Sequence, residues 1–199
     1  MGYSQSWLAV KGKTRAEVLD ALELRETGTR EEIASSPIVG AELSAGWYLV
    51  VTNRSEHRLT RDGVLQRLSV GCEVITGDVE EHVMVSAAGS WNNGHRVWSV
   101  MHDGQRSVEH LETKGDLPAA FAGIRDKLLA QQQAEVEGEN AVDHMFDVPV
   151  ELAKTLTGYR HDAQAPTVHG TPFEVLAGDP PSLFKKLFGG RRLNSFYPS

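Results

Sequence analysis

Eight histidines are the side chains of this sequence best suited to metal binding or acid–base catalysis. Two of them, His102 and His110, lie in predicted strands on either side of the dipeptide Asp103-Gly104. A two-residue turn at that dipeptide would place the two imidazoles on opposite faces of the sheet, where they could not bind one ion. The chain also lacks the His-Glu-x-x-His, paired-cysteine and EF-hand motifs. The sequence therefore predicts neither a metal site nor a cofactor.

Carboxylates and histidines near the ends of the same strands offer material for acid–base catalysis. Glu81 precedes one strand and His102 ends the next. A tight turn between these strands would pair His102 with Val85, which puts His82 and His102 on different faces. The chain has no Gly-x-Ser-x-Gly motif and no phosphate-binding loop. We predict no catalytic residue and retain Glu81 and His102 as binding candidates.

Three basic side chains lie in a polar loop that comes after a strongly apolar run. Residues 52–60 contain Arg54, His57 and Arg58, and loops after central strands often carry ligand contacts. Guanidinium and imidazole groups together can bind a carboxylate or a phosphate. The three residues are therefore candidates for binding an anion, and the alternative is an ordinary solvated loop.

Trp91 is the tryptophan whose position suggests binding, because it lies beside a predicted hairpin tip. It either folds back over Arg96 and Leu111 or contacts a partner protein. We favour the first arrangement, and we keep Trp91 as a binding candidate. The other three tryptophans lie in apolar or alternating runs and are predicted core residues: Trp7, Trp47 and Trp98.

Two turn dipeptides define the elements that carry these residues. Asn93-Gly94 and Asp103-Gly104 supply the positive φ angles that a two-residue hairpin turn requires. Runs that mix apolar and polar residues at a period near two flank them, at 82–88, 95–102 and 106–113. The pattern predicts a three-stranded antiparallel meander in which Trp98 and His102 share a face.

The remaining elements are predicted from capping and periodicity. Residues 7–10 and 46–51 form predicted strands, the second of them buried on both faces. The spacing of Thr14 and Glu17 is typical of a capping box, and further helices are predicted near 59–68, after Asp116, and from Asp147 to Gly158. Residues 31–44 lack a period and are predicted to form a loop. Residues 72–88 form either one strand with a bulge near residue 77 or a hairpin with its turn at Gly77-Asp78.

This order of elements favours an α+β fold. We predict a mixed, largely antiparallel sheet with a central three-stranded meander and with helices packed mainly on one face. A doubly wound parallel sheet does not fit, because the second half of the chain lacks crossover helices. We divide the chain into a core domain (1–135), a linker and a helix packed on the core (136–160), and an extended tail rich in Pro and Gly (161–199).

Composition limits the class of protein. The chain has 199 residues and a net charge of −7, which argues against general nucleic-acid binding. The lone cysteine, Cys72, cannot form an internal disulfide and has no neighbour in sequence that would activate its thiol. No stretch approaches the roughly 20 apolar residues of a membrane span, and no signal peptide is evident. We expect an acidic, cytoplasmic protein.

The C-terminal region is basic, although the chain as a whole has a net negative charge. Residues 182–192 include a compact apolar stripe and four basic side chains. A helix this short needs tertiary or partner contacts to persist. We expect it to dock on the acidic body of the protein or to mediate self-association, and the alternative is binding to a membrane surface.

Two classes of function remain. We favour a non-catalytic soluble binding or regulatory protein, such as an immunity-type protein that acts on a protein partner, because no nucleophile, metal or phosphate motif stands out. The alternative is a small metal-independent hydrolase or isomerase that uses histidine and glutamate at strand ends. Convergence of His57, Glu81 and His102 in one pocket would favour that alternative.

Overall fold

The computed structural model describes residues 2–134, 142–168 and 173–178. Within them, nine antiparallel strands form one sheet in the order β2-β9-β3-β4-β1-β5-β6-β7-β8. The strands are β1 (Ser4–Lys11), β2 (Leu24–Glu31), β3 (Ile38–Leu43), β4 (Trp47–Thr52), β5 (Glu73–Glu80), β6 (Val85–Asn92), β7 (His95–Asp103), β8 (Glu112–Gly115) and β9 (Phe173–Gly178). The helices are α1 (Arg15–Leu22), α2 (Asp62–Leu68), α3 (Ala120–Ala134) and α4 (Asp147–Thr157), with 3₁₀ turns at Ser44–Gly46 and Arg58–Thr60. The predicted α+β class is confirmed.

Both faces of the central sheet are buried. The neighbours Trp7 and Leu8 of β1 point to opposite faces, and they are 4% and 1% exposed. Helices α3 and α4, of 15 and 11 residues, pack on the Trp7 face. The shorter helices α1 and α2, of 8 and 7 residues, cover part of the Leu8 face. The helical part of the molecule therefore lies mainly on one face, as predicted.

Local signals place several elements where the sequence predicts them. Thr14 Oγ1 accepts from Glu17 N at 3.3 Å and the Glu17 carboxylate accepts from Thr14 N at 2.7 Å, which completes the capping box of α1. Strand β4 is buried at every residue. Helix α4 ends at Gly158, whose φ of 82° is the left-handed conformation that glycine favours. No described helix is long and apolar enough to span a membrane.

The first turn of the predicted meander is confirmed, but the pairing of β6 with β7 is shifted by one residue from the predicted register. Asn93 and Gly94 have φ angles of 48° and 81°, as a two-residue hairpin turn requires. A bulge near the tip then shifts the pairing, so that Ser86 rather than Val85 lies opposite His102. Alternation along β7 keeps Trp98 and His102 buried on the same face, as predicted.

The second predicted turn is wrong. β8 begins only at Glu112, and residues 104–111 form successive turns in which Asp103 Oδ1 accepts from Gln105 N at 3.1 Å. An Asx turn of this kind uses the aspartate side chain instead of a tight hairpin turn. His110 therefore lies outside the strand, with its ring centroid 6.3 Å from that of His102. The prediction that these two side chains lie on opposite faces is wrong.

Residues 72–88 form a hairpin whose turn lies at 81–84. Gly77 is in the middle of β5, where a Cβ atom would lie 2.4 Å from Cε2 of Trp7. The glycine is thus required because the indole packs directly on the strand backbone. It marks neither a turn nor a bulge.

Three strands are not predicted from the sequence. β2 is exposed at six consecutive positions, so it carries no alternation of apolar residues. β3 (Ile38–Leu43) lies inside the segment 31–44, which was predicted to be a loop, so the loop prediction is wrong for these residues. β9 lies inside the predicted extended tail and pairs between β2 and β3, which corrects that prediction for Phe173–Gly178. The basic segment 182–192 lies outside the described residues.

Candidate functional site

A cleft of about 520 Å³ lies over the part of the Leu8 face that α2 leaves uncovered. This volume is within the range of pockets that hold small ligands or single peptide segments. Strands β5 to β8 form its floor, and α2 with the preceding 3₁₀ turn forms one wall. The residues that shape it are Glu56, His57, Thr60, Arg61, Asp62, Leu65, Thr76, Asp78, Ala87, Gly89, Trp91, Arg96, Ser99, Met101, Glu112 and Lys114.

The floor of the cleft is built from small side chains on β6. Ala87 and Gly89 face the cleft, while their neighbour Ala88 is buried in the core of the Trp7 face. Ser99 and Met101 of β7 lie beside them and are half-buried. Small residues between larger ones make the sheet surface concave, so that an occupant can approach the backbone closely.

Trp91 closes one end of this floor. It is 7% exposed, and the Arg96 guanidinium stacks over its ring at 5.0 Å from the centroid. Arg96 also pairs with Asp62 of α2. The prediction that Trp91 folds back over Arg96 is confirmed. Leu111 packs in the cluster of the Trp7 face and does not share the cluster of Trp91.

Asp78 is a half-buried carboxylate in the cleft that lacks a cationic partner among the described residues. Its Oδ2 accepts from Ser6 Oγ at 2.5 Å and from the backbone N–H of Glu56 at 2.7 Å. Burial raises the pKa of Asp78, the two hydrogen bonds oppose this, and the Glu56 and Glu80 carboxylates add to the rise. The hydrogen bonds tie the loop after β4 to β5 and fix the wall of the cleft.

His57 is the sequence-predicted anion ligand that reaches the cleft. Its Nδ1 accepts from Leu59 N at 3.3 Å, so the ring proton lies on Nε2. Burial lowers the pKa of His57, and the neighbouring Arg58, Arg54 and Arg61 lower it further. The imidazole is therefore neutral near pH 7 and presents an N–H donor.

The other two predicted anion ligands do not join it. Arg54 and Arg58 have exposed side chains and do not line the cleft. Arg61, which the sequence patterns did not single out, does line it. The loop therefore contributes one imidazole and one guanidinium to the cleft instead of the predicted trio.

His102 lies in the interior, away from the cleft, and is 0% exposed. Its Nδ1 donates to the His110 carbonyl at 2.7 Å and its Nε2 donates to Asp143 Oδ2 at 2.9 Å. Burial alone would lower the pKa of His102, but these two hydrogen bonds outweigh it and raise the pKa. Two acceptors for two ring nitrogens indicate an imidazolium.

Ser86, His102 and Asp143 resemble a catalytic triad in composition but not in geometry. The Ser86 hydroxyl donates to the Phe146 carbonyl at 2.6 Å, and neither nitrogen of His102 is free to take its proton. Ser86 and His102 are both fully buried. A general base needs a free nitrogen and access to substrate, so this cluster is structural.

Glu81 lies elsewhere, at the N-terminal end of β1. Its carboxylate accepts from Tyr3 N at 2.8 Å and from His161 Nε2 at 3.1 Å. The Tyr3 ring meets His161 edge-on at 5.2 Å. A second cleft of about 720 Å³ adjoins this group, but the chain between two of its lining residues, Thr167 and Phe173, is not fully described, and we assign no site there.

The structure therefore does not bring His57, Glu81 and His102 into one pocket. Among residues 2–134, 142–168 and 173–178, no three His, Cys, Asp or Glu side chains form a group that could hold a metal ion. Comparison of the chain with protein-family models, with curated proteins and with solved structures found no match. The cleft over β5 to β8 brings His57, Arg61, Asp78 and Trp91 together, and we take it as the candidate site.

Proposed function

We propose that this chain is a non-catalytic binding protein that receives a segment of a partner protein in the cleft over β5 to β8. One observation carries the proposal: the same strands that α4 covers on one face are covered only in part, by α2, on the other. An apolar sheet face is stable when it is buried against another layer. A segment of a partner would supply the missing layer.

The polar groups of the cleft suit a peptide better than a simple anion. Arg61 and Lys114 have no ion-pair partner in the described part of the chain, and neither do Glu56 and Asp78. Charges of both signs beside an apolar floor match a segment with mixed side chains and a polar backbone. A site for an isolated anion would instead gather cations and exclude carboxylates.

The alternative function, a small hydrolase or isomerase, receives no specific support. His102 has both ring nitrogens engaged, and Glu81 is bonded to the N-terminal segment and to His161. We place the binding role in the cytoplasm, since the free thiol of Cys72 is buried and the chain has no other cysteine with which to pair.

Selection of peptides from a random display library on the full chain tests this proposal. Ala87→Trp places an indole on the floor of the cleft, and Thr29→Trp places one on the exposed strand β2 as a matched control. We expect selected peptides to bind the Ala87→Trp variant at least tenfold more weakly, which is about 1.4 kcal/mol, and to bind the Thr29→Trp variant as they bind the wild type.

Two results would count against the proposal. One is a library from which no peptide binds the wild-type chain. The other is a set of peptides that bind the Ala87→Trp variant with unchanged affinity, provided that circular dichroism shows it to be folded. Ser99→Trp, on the neighbouring strand, serves as a second blocking variant if Ala87→Trp does not fold.

A further inference from the structure

We infer that the C-terminal segment 183–192 of this chain docks in the same cleft and competes there with the partner. The inference rests on the proposed function, because it assigns an internal competitor to the proposed binding site. Three features support it: the position of the end of β9, the number of residues between β9 and the segment, and the chemistry of both surfaces.

The chain leaves β9 on the face of the sheet that carries the cleft, where Leu176 packs in the same cluster as Leu8. A Cβ atom on Gly178, the last residue of β9, would lie 3.9 Å from Arg58 Nη2. Arg58 opens the 3₁₀ turn Arg58–Thr60, and Thr60 and the preceding His57 line the cleft. The segment therefore starts on the Leu8 face, where the cleft lies.

The length of the remaining chain is sufficient. β6 is five strands from β9 in the sheet order, which is about 24 Å at about 4.8 Å per strand. The nine residues 179–187 span up to about 30 Å when extended, at about 3.3 Å per residue. In an extended conformation the end of the stripe, Leu187 and Phe188, can therefore reach Ala87 and Gly89.

Charge and apolarity also match. Residues 179–199 contain four basic and one acidic side chain, a net charge of +3, which leaves −10 on residues 1–178. Lys185 and Lys186 would supply cations to Glu56 and Asp78, the carboxylates of the cleft that have no cationic partner in the described structure. Burial and the neighbouring Glu56 already disfavour the charged form of Asp78, so a nearby ammonium group would be a favourable partner.

The apolar side chains of the segment have a matching surface as well. Leu183, Phe184, Leu187 and Phe188 place four large apolar side chains within six residues. The floor of the cleft offers Ala87 and Gly89 between larger neighbours. A covalently linked segment has an effective concentration near the millimolar range, so docking within one chain is favoured over docking on a second copy at micromolar protein.

Paramagnetic relaxation enhancement in the full chain tests the inference. A nitroxide is attached at Ser195→Cys in a Cys72→Ser background, and amide peak intensities are compared with those of the reduced label. We expect the amides of Ala87, Gly89 and Ser99 to lose most of their intensity and those of α3, on the opposite face, to keep it. Replacing the four apolar residues of the stripe by serine should abolish the loss, whereas the matched control Asn194→Ser should not.

Three results would overturn the inference: no loss of intensity at the cleft, loss confined to another surface, or loss seen only in a mixture of isotope-labelled and spin-labelled chains, which indicates docking on a second copy. The affinity of library-selected peptides distinguishes failure of this inference from failure of the proposed function. If the segment competes, the four-serine variant binds them several-fold more tightly than the wild type. If the segment does not dock but the cleft binds peptides, both proteins bind them equally and only the inference fails.

Discussion

His102 contributes to the fold by joining two connections that are distant in the sequence. Through its two ring nitrogens it holds the carbonyl of His110, in the connection 104–111, and the carboxylate of Asp143, just before α4. Asp143 Oδ1 in turn accepts from Phe146 N at 3.1 Å. A buried imidazolium with two acceptors is stabilising only while both N–H groups are present.

The charge of His102 predicts a specific dependence of stability on pH. Because the folded pKa of His102 is raised above the unfolded value of about 6.5, its stabilisation is complete below that pH and is lost as the pH rises through the folded pKa. We expect His102→Gln to lower the free energy of unfolding by about 1–3 kcal/mol at about pH 5.5 and by less at about pH 9.

Urea denaturation at both pH values measures this difference. His95→Gln, in an exposed position beside the hairpin turn, is the matched control and should change little at either pH. An effect of His102→Gln that is equal at both pH values would show that the histidine is not charged in the folded protein.

The close packing of Gly77 against Trp7 predicts how a substitution at this position changes stability. A Cβ atom at this position would overlap the Trp7 indole, so Gly77→Ala should cost about 1–3 kcal/mol of stability. Gly123→Ala, in α3 with no atom within 4 Å of the new methyl group, should be neutral or stabilise by about 0.5–1 kcal/mol. Thermal melting of the two variants distinguishes these outcomes, and equal melting temperatures would argue against the packing of Trp7 on β5.

At the scale of elements, the hairpin of β6 and β7 depends on its turn. Gly94 has a φ of 81°, which a β-branched residue adopts only under strain. Gly94→Val should therefore destabilise the protein by roughly 1–3 kcal/mol. His95→Val, one residue further and inside the strand, should have little effect, and a chemical-denaturation midpoint that falls equally in both variants would contradict the assigned turn.

The sequence predicts those elements whose signals are local. Asn93-Gly94 and the Thr14–Glu17 capping box each specify their conformation through contacts within a few residues. Asp103-Gly104 has the same kind of signal and misleads, because the Asp103 side chain forms an Asx turn with Gln105 N instead of a tight hairpin turn. β2 pairs with β9, and β9 pairs with both β2 and β3, so these strands depend on partners that are distant in the sequence.

In the candidate site too, some residues can be predicted from local sequence and others depend on how distant parts of the chain are arranged. His57 and Trp91 were predicted as binding candidates and both line the cleft. Asp78 was not, because next to Gly77 it suggests a turn, and Arg61 was not, because nothing in the sequence shows which side of its loop faces the sheet. The cleft exists because a seven-residue α2 is too short to cover four strands, a fact that depends on how the whole chain is arranged.

At the scale of the whole molecule, the two faces of the sheet differ in how they are covered. α3 and α4 pack on the Trp7 face, whereas the Leu8 face is covered by α1 and α2 only in part. Asp78 and Trp91 line the cleft and also hold the fold, through hydrogen bonds and core packing. Arg61 and Lys114 line the cleft without an ion-pair partner among the described residues.

Folding of the whole molecule should not depend on a metal ion. The described residues contain no cluster of potential ligands, and the buried imidazoles of His102 and His161 have hydrogen-bond partners within the protein. We expect the thermal-melting midpoint of the purified protein to be unchanged by excess EDTA. A stoichiometric metal in elemental analysis, together with a lower midpoint after chelation, would contradict this expectation.

We propose that the cleft over β5 to β8 binds a segment of a partner protein. Titrating a library-selected peptide into the isotope-labelled full chain and recording amide chemical shifts tests this proposal. We expect the largest shifts on Thr76, Ala87, Gly89 and Ser99, with smaller changes on the α3 and α4 side of the sheet. Shifts that concentrate on the exposed strand β2 or on the connection 104–111, with the cleft unchanged, would contradict it.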